Sequence, residues 1–201
     1  TYNLTETGPS GYAASFSADC SGSIAVGQTK SCTVTNDDIQ PQLIVIKHVE
    51  NNSGGTAVAS EWTMNVTGTS PSPASFPGAE SPGTTVLLNA GSYSVTESGP
   101  TGYDPTPSAE CSGSIAVGET KTCTLTNDDQ PAHLIVIKQV VNDNGGTAVA
   151  SDFLMMINGL NVPNTANPFP GAEAPGVNKI VDPGTYNLTE TGPSGYAASF
   201  S

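Results

Sequence analysis

"LIVIKHVENNSGGTAVAS" at residues 43–60 returns as "LIVIKQVVNDNGGTAVAS" at 134–151, and this recurrence constrains the fold more than any other feature of the chain. The same offset of about 91 residues relates "CSGSIAVGQTKSCTVTNDD" at 20–38 to "CSGSIAVGETKTCTLTNDD" at 111–129. It also relates "YNLTETGPSGY" at 2–12 to "YSVTESGPTGY" at 93–103. A unit of that size holds one small domain with its own core.

A second match sets the phase, because residues 1–17 are identical to residues 185–201. The chain therefore reads as starting in mid-domain, crossing one whole domain and stopping in mid-domain. The expected organisation is the C-terminal part of a repeat at 1–41, a complete repeat at 42–131 and the N-terminal part of the next at 132–201. Two accounts fit. One is a window from a long tandem array in which every unit does the same job. The other is a subunit whose neighbours complete its split domains by strand complementation.

With Gly 22 and Pro 16, many Ser and Thr and no helical apolar period, the chain reads as all-β. In the complete repeat, strands are expected at 43–50, 61–68, 83–91 and 92–98. "SAECSGSI" and "TKTCTLTND" are expected to form a final hairpin, and a Pro-rich loop spans 69–82. Turns at this spacing indicate a β-sandwich. "NDDIQPQ" and "NDDQPAH" read as short interdomain linkers that proline keeps extended.

Five Lys+Arg against 18 Asp+Glu give a net charge of −13, which excludes nucleic acid and anionic membrane surfaces as partners. No run approaches the roughly 18 apolar residues of a membrane span. The cysteines fall as Cys20/Cys32 and Cys111/Cys123, each pair closing "C-SGSIAVG-[QE]-TK-x-C" across an expected hairpin. Thiolate metal sites want closer spacing and more ligands, and the only histidines are His48 and His133. Disulfides are expected, and with them an oxidising, extracytoplasmic location. "NDD" at 36–38 and 127–129 and "NDN" at 142–144 read as solvated turn residues rather than calcium ligands. No metal or cofactor is expected. The chain has no Ser/His/Asp set and no phosphate-cradling glycine loop, which argues against a turnover enzyme.

Strand parity raises the sharpest chemical question. Alternate residues share a face, so Lys47 points with Leu43, Val45 and Val49. Glu97 points with Tyr93 and Val95, and Asn127 with Cys123 and Leu125. A lysine, a glutamate and an asparagine on three strands thus face one core, where a lone charge is costly.

"NAGSYSVTESGPTGY" at 89–103 resembles the signature of collagen-adhesin B-type and SpaA-like pilin domains, which are prealbumin-like β-sandwiches of bacterial surface proteins. The resemblance extends over the whole repeat. It implies tandem immunoglobulin-like or prealbumin-like sandwiches, with Lys47 and Asn127 at the family's cross-linking positions. There the lysine amine attacks the asparagine amide, releases ammonia and leaves an isopeptide bond, while Glu97 shuttles protons and polarises the carbonyl. Burial favours a neutral amine beside a protonated acid. The competing reading is an unreacted cluster, with Lys47 and Glu97 as an ion pair. In the split repeats, Glu6 and Asn36 need a lysine from upstream, and Lys138 and Glu190 need an asparagine from downstream. Lys138, Glu190 and Asn36 would form a set only across an array or between subunits. The paired cysteines are not a general feature of the family, and the chain shows no sortase signal or pilin lysine motif.

The expected function is a structural repeat of a secreted bacterial surface fibre, stalk or filament whose partners are copies of itself. The alternative is an adhesin module whose 69–82 loop contacts an unknown surface ligand.

Overall fold

The computed structural model describes residues 1–163 and 165–200. Its regular structure is strand, interrupted among the described residues by single 3-10 turns at Ala18–Cys20, Ala59–Glu61, Ala109–Cys111 and Ala150–Asp152. The chain divides into two compact units, one of Thr1–Glu50 with Ala57–Asn127 and one of Asn51–Thr56 with Asp128 onward.

In the first unit, β1 (Tyr2–Asn3) pairs with β3 (Ser21–Gly22), and β2 (Tyr12–Phe16) pairs with β4 (Val34–Asp38), both antiparallel. The complete repeat then supplies β5 (Gln42–Glu50), β6 (Thr63–Ser72), β7 (Ser75–Pro77) and β8 (Thr84–Ser98). It continues with β9 (Tyr103–Pro107), β10 (Ser112–Ile115) and β11 (Thr120–Asp129). These join in the order β7-β6-β8-β5-β11-β9, with β10 added to β8.

The strands expected at 83–91 and 92–98 are one continuous β8. Its first part pairs with β5 (Leu43 opposite Val86) and its last part with β6 (Val66 opposite Val95). Strict alternation cannot put Leu88 and Tyr93 on one face, yet both are buried. The β6–β8 register shifts on either side of Thr69, opposite Asn89, and Gly91 adopts φ +145°, a conformation open to glycine. That slip turns Tyr93, Val95 and Glu97 inward.

The expected final hairpin does not form as a pair. β10 bonds to β8, whereas β11 lies between β5 and β9. Ile115 on β10 and Cys123 and Leu125 on β11 are all buried, so the two strands face each other through the core rather than edge to edge. The Cys111–Cys123 disulfide ties the 3-10 turn just before β10 to β11, and Cys20–Cys32 repeats the link between the equivalent segments.

The "NDD" segments also differ from the linker reading. Asn36–Asp38 end β4 and Asn127–Asp129 end β11, so only residues 39–41 and 130–131 connect one strand to the next. Nor is Asp129 a solvated turn residue, since it is 5% exposed. Asn51–Thr56 folds over its carboxylate, which accepts N–H groups from Asn52 (2.7 Å), Ser53 (2.9 Å) and Gly55. Burial pushes this carboxyl up, but the amides of Gly55, Ser53 and Asn52 outweigh it and hold the carboxyl below its ordinary value.

Leu43, Val45, Trp62, Met64, Val66, Val86, Leu88 and Leu125 lie at the centre of the first core. In the second unit β12 (Ala132–Val136) pairs with β15 (Val177–Val181), and β13 (Leu154–Asn158) lies between β14 (Phe169–Pro170) and β16 (Asn187–Thr191). Val136, Met155, Ile157, Phe169 and Val181 form its core.

Candidate functional site

On β5 burial alternates: Leu43, Val45 and Lys47 are buried while Gln42 and His48 are exposed. Lys47 is 0% exposed. Its Nζ lies 3.3 Å from Glu97 Oε2 and 4.5 Å from the centre of the Trp62 ring. It donates to the carbonyls of His48 (3.3 Å) and Leu125 (3.4 Å). The second of these brings the amine to β11, two residues before Asn127. Burial pushes the Lys47 ammonium below the ordinary lysine value, against the opposing pull of Glu97.

Asn127 is 3% exposed and follows Cys123 and Leu125 on the inward face of β11. Among the described residues its Oδ1 has no hydrogen-bond partner, and neither has Glu97 Oε2. Glu97 Oε2 is nonetheless ion-paired with Lys47 at 3.3 Å, so Asn127 Oδ1 is the buried oxygen left without a polar partner. Orphaned buried oxygens are rare and call for an explanation. The Lys47 amine reaches the strand that carries Asn127 through the Leu125 carbonyl.

The second unit rebuilds part of the same arrangement. Lys138 Nζ lies 3.0 Å from Glu190 Oε2 and 4.2 Å from the Phe153 ring centre, so Phe153 takes the position of Trp62. Tyr103 meets Trp62 edge-on and Tyr196 meets Phe153 in the same way. Glu6 and Asn36 are exposed and line a common open groove in the first unit. The structure thus assembles Lys47 with Glu97 beside the strand carrying Asn127, and Lys138 with Glu190. Among the described residues of its own unit, no lysine contacts Glu6 or Asn36.

Several residues that hold the site escaped the sequence reading. Lys47 N–H donates to Ala79 O, and Lys138 N–H to Ala172 O, both at 2.8 Å. A Cβ at Gly78 would stand 2.9 Å from Lys47 Cβ and in contact with Ala59 O, and Gly171 is equally close to Lys138. Glu80 accepts the Val49 N–H at 2.9 Å. The signal was present in the sequence: "FPGAE" recurs unchanged at 76–80 and 169–173 inside the most divergent stretch of the repeat. Gly99 leaves the space that the Trp62 ring fills. Lys179 had no assigned role; it is buried, donates to Ala166 O at 2.7 Å and lies 4.1 Å from the Phe169 ring centre.

A family of SpaA type, described as a prealbumin-like fold domain, matches residues 37–128 and again residues 129–200. Comparison with curated proteins finds no match. Among solved structures the Bacillus anthracis TIE protein is similar at 21% identity with a TM-score of 0.46. That alignment covers 85% of this chain and 32% of the other, so the chain spans about a third of its length.

Proposed function

This chain belongs to the SpaA-type prealbumin-like fold family, and from that premise we propose that it is a tension-resisting segment of an extracellular bacterial surface fibre or stalk. Each complete repeat locks itself with one Lys–Asn isopeptide bond and one disulfide. The observation that carries this reading is the buried Lys47 amine, 3.3 Å from Glu97 Oε2 and donating to the Leu125 carbonyl two residues before a buried Asn127 whose Oδ1 has no hydrogen-bond partner among the described residues.

The step balances without any outside reactant. Lys47 gives a proton to Glu97, and its free amine attacks Cγ of Asn127. Glu97 passes that proton to the departing nitrogen, the attacking nitrogen gives its second proton to Glu97, and ammonia leaves as the new amide forms, with Glu97 left protonated. Dry, fixed geometry supplies the rate. Folding assembles the groups, so each repeat reacts once on itself and does not turn over. In a tandem array, Lys138 and Glu190 would meet the asparagine of the following stretch, and Glu6 and Asn36 the lysine of the preceding one.

The bond would join the first strand of the repeat to the last, and the Cys111–Cys123 link closes a smaller loop inside the one that bond spans. Little chain could then extend if the domain opened. The Pro-rich segment favours this mechanical reading over a ligand-binding loop, because its second half packs on Lys47 through Gly78 and Ala79. Location at the cell surface follows from the disulfides and from the family's usual setting. The reading is tested by the mass of the folded chain, described at the end of the Discussion.

A further inference from the structure

Gly54 adopts φ +89°, and a Cβ there would stand 2.7 Å from Pro183 Cδ and 3.1 Å from Asp182 Cβ. The "NNSGG" loop thus lies between the Asp129 carboxylate, which takes its amides, and the 182–183 turn, which forms its floor. Glycine is required at the point of closest approach.

The repeat supplies the same parts a second time. Asp38 corresponds to Asp129. Thr84–Gly91 corresponds to Val177–Gly184, so Asn89 and Ala90 stand where Asp182 and Pro183 stand. Asp38, Asn89 and Ala90 line one open groove with Gln40, Pro41 and Val117. The loop that corresponds to "NNSGG" is "NDNGG" at 142–146, and it is exposed. Gly145 has φ +83°, close to that of Gly54, and a Cβ there would meet nothing within 4 Å. Gly145 already holds the backbone angle of the docked Gly54 with nothing against it.

We propose that the groove at Asp38 is a docking site for the 142–146 loop of a second copy of this chain. Asp38 would accept the N–H groups of Asp143, Asn144 and Gly146, as Asp129 accepts those of Asn52, Ser53 and Gly55. This deepens the fibre reading by naming the contact that fixes one repeat on the next. One contact differs between the two junctions. Asn52 donates its side-chain amide to Asp128 at 2.8 Å. The corresponding residues are Asp143 and Asp37, two carboxylates that repel.

The test is sedimentation velocity of the full chain over a wide concentration range, with three variants. The wild-type chain should associate end to end. Asp38→Asn removes the charged acceptor and Gly145→Ala collides with the floor, so each should weaken association about tenfold or more. Asp143→Asn should tighten it. A mixture of the Asp38→Asn and Gly145→Ala chains should form pairs and nothing longer, because only one of the two junctions is intact. A chain that stays monomeric throughout, or association indifferent to Asp38, overturns the proposal. None of these positions touches Lys47, Glu97 or Asn127, so failure here leaves the intrachain bond to be judged on its own mass reading.

Discussion

Lys47 Nζ and Glu97 Oε2 stand 3.3 Å apart, with side chains 0% and 10% exposed. Such a pair gains little for stability on its own account. Desolvating both charges offsets most of their attraction, and apolar replacements of similar volume often do as well. The amine also donates to Leu125 O, on the strand that carries the unpartnered Asn127 Oδ1, and the proposed cross-link rests on that placement.

The first prediction removes each half of that pair in turn. Lys47→Met removes the amine and keeps the length but leaves the Glu97 side chain, 10% exposed, without its partner, so the variant should lose the cross-link and cost about 3–5 kcal/mol. Glu97→Ala leaves a buried ammonium without its partner and should cost about 3–5 kcal/mol. Urea unfolding of the two variants, compared with Asn127→Ala, measures both costs.

Gly78 lies against the lysine stem. Gly78→Ala puts a methyl group against Lys47 Cβ and Ala59 O, and overpacking of this kind costs about 1–3 kcal/mol. Because it displaces β5, it should also slow cross-link formation, followed as mass against time after refolding. Gly8→Ala, whose nearest neighbour would be 3.8 Å away, should change neither.

Asp129 fixes a pH dependence. Its carboxyl sits below its ordinary value of 3.8, so the folded state binds that proton less readily than the unfolded chain does. The contribution is fully present above 3.8 and is lost as pH falls through the lower folded value. Thermal unfolding of the wild-type chain should therefore lose stability below about pH 4, whereas Asp129→Asn should lose this part of the dependence. At neutral pH, Asp129→Asn should be less stable by about 1–3 kcal/mol, because the Ser53 and Gly55 amides lose their charged acceptor.

The Cys111–Cys123 link is the second lock. Replacing both cysteines with serine should cost about 2–4 kcal/mol and leave the isopeptide intact, since the disulfide ties the turn before β10 to β11 whereas the isopeptide would join β5 to β11. Denaturant unfolding of the double variant measures the cost, and its mass shows whether the ammonia is still lost.

Much of this architecture was legible because period-2 alternation and a long repeat are local signals. Lys47 on β5 and Asn127 on β11 sit on the faces that parity assigns them, with Leu43 and Val45 and with Cys123 and Leu125. The pairing of β10 with β8 was not legible, because which edge a strand joins depends on contacts distant in sequence. The burial of Asp129 was hidden for a related reason: its acceptors' partners are backbone amides some 75 residues earlier, and "NDD" by composition suggests a turn. "FPGAE" was visible as a conserved island between the two repeats, but its purpose appears only when Gly78 is seen against Lys47.

The most direct test of the central claim is the intact mass of the full folded chain after complete reduction. The account predicts a deficit of one ammonia relative to the linear sequence, present in the wild-type chain and absent from Lys47→Met, Glu97→Ala and Asn127→Ala. A reduced mass equal to that of the linear chain would contradict it, leaving Lys47 as one member of a buried ion pair and the disulfide as the repeat's only covalent lock.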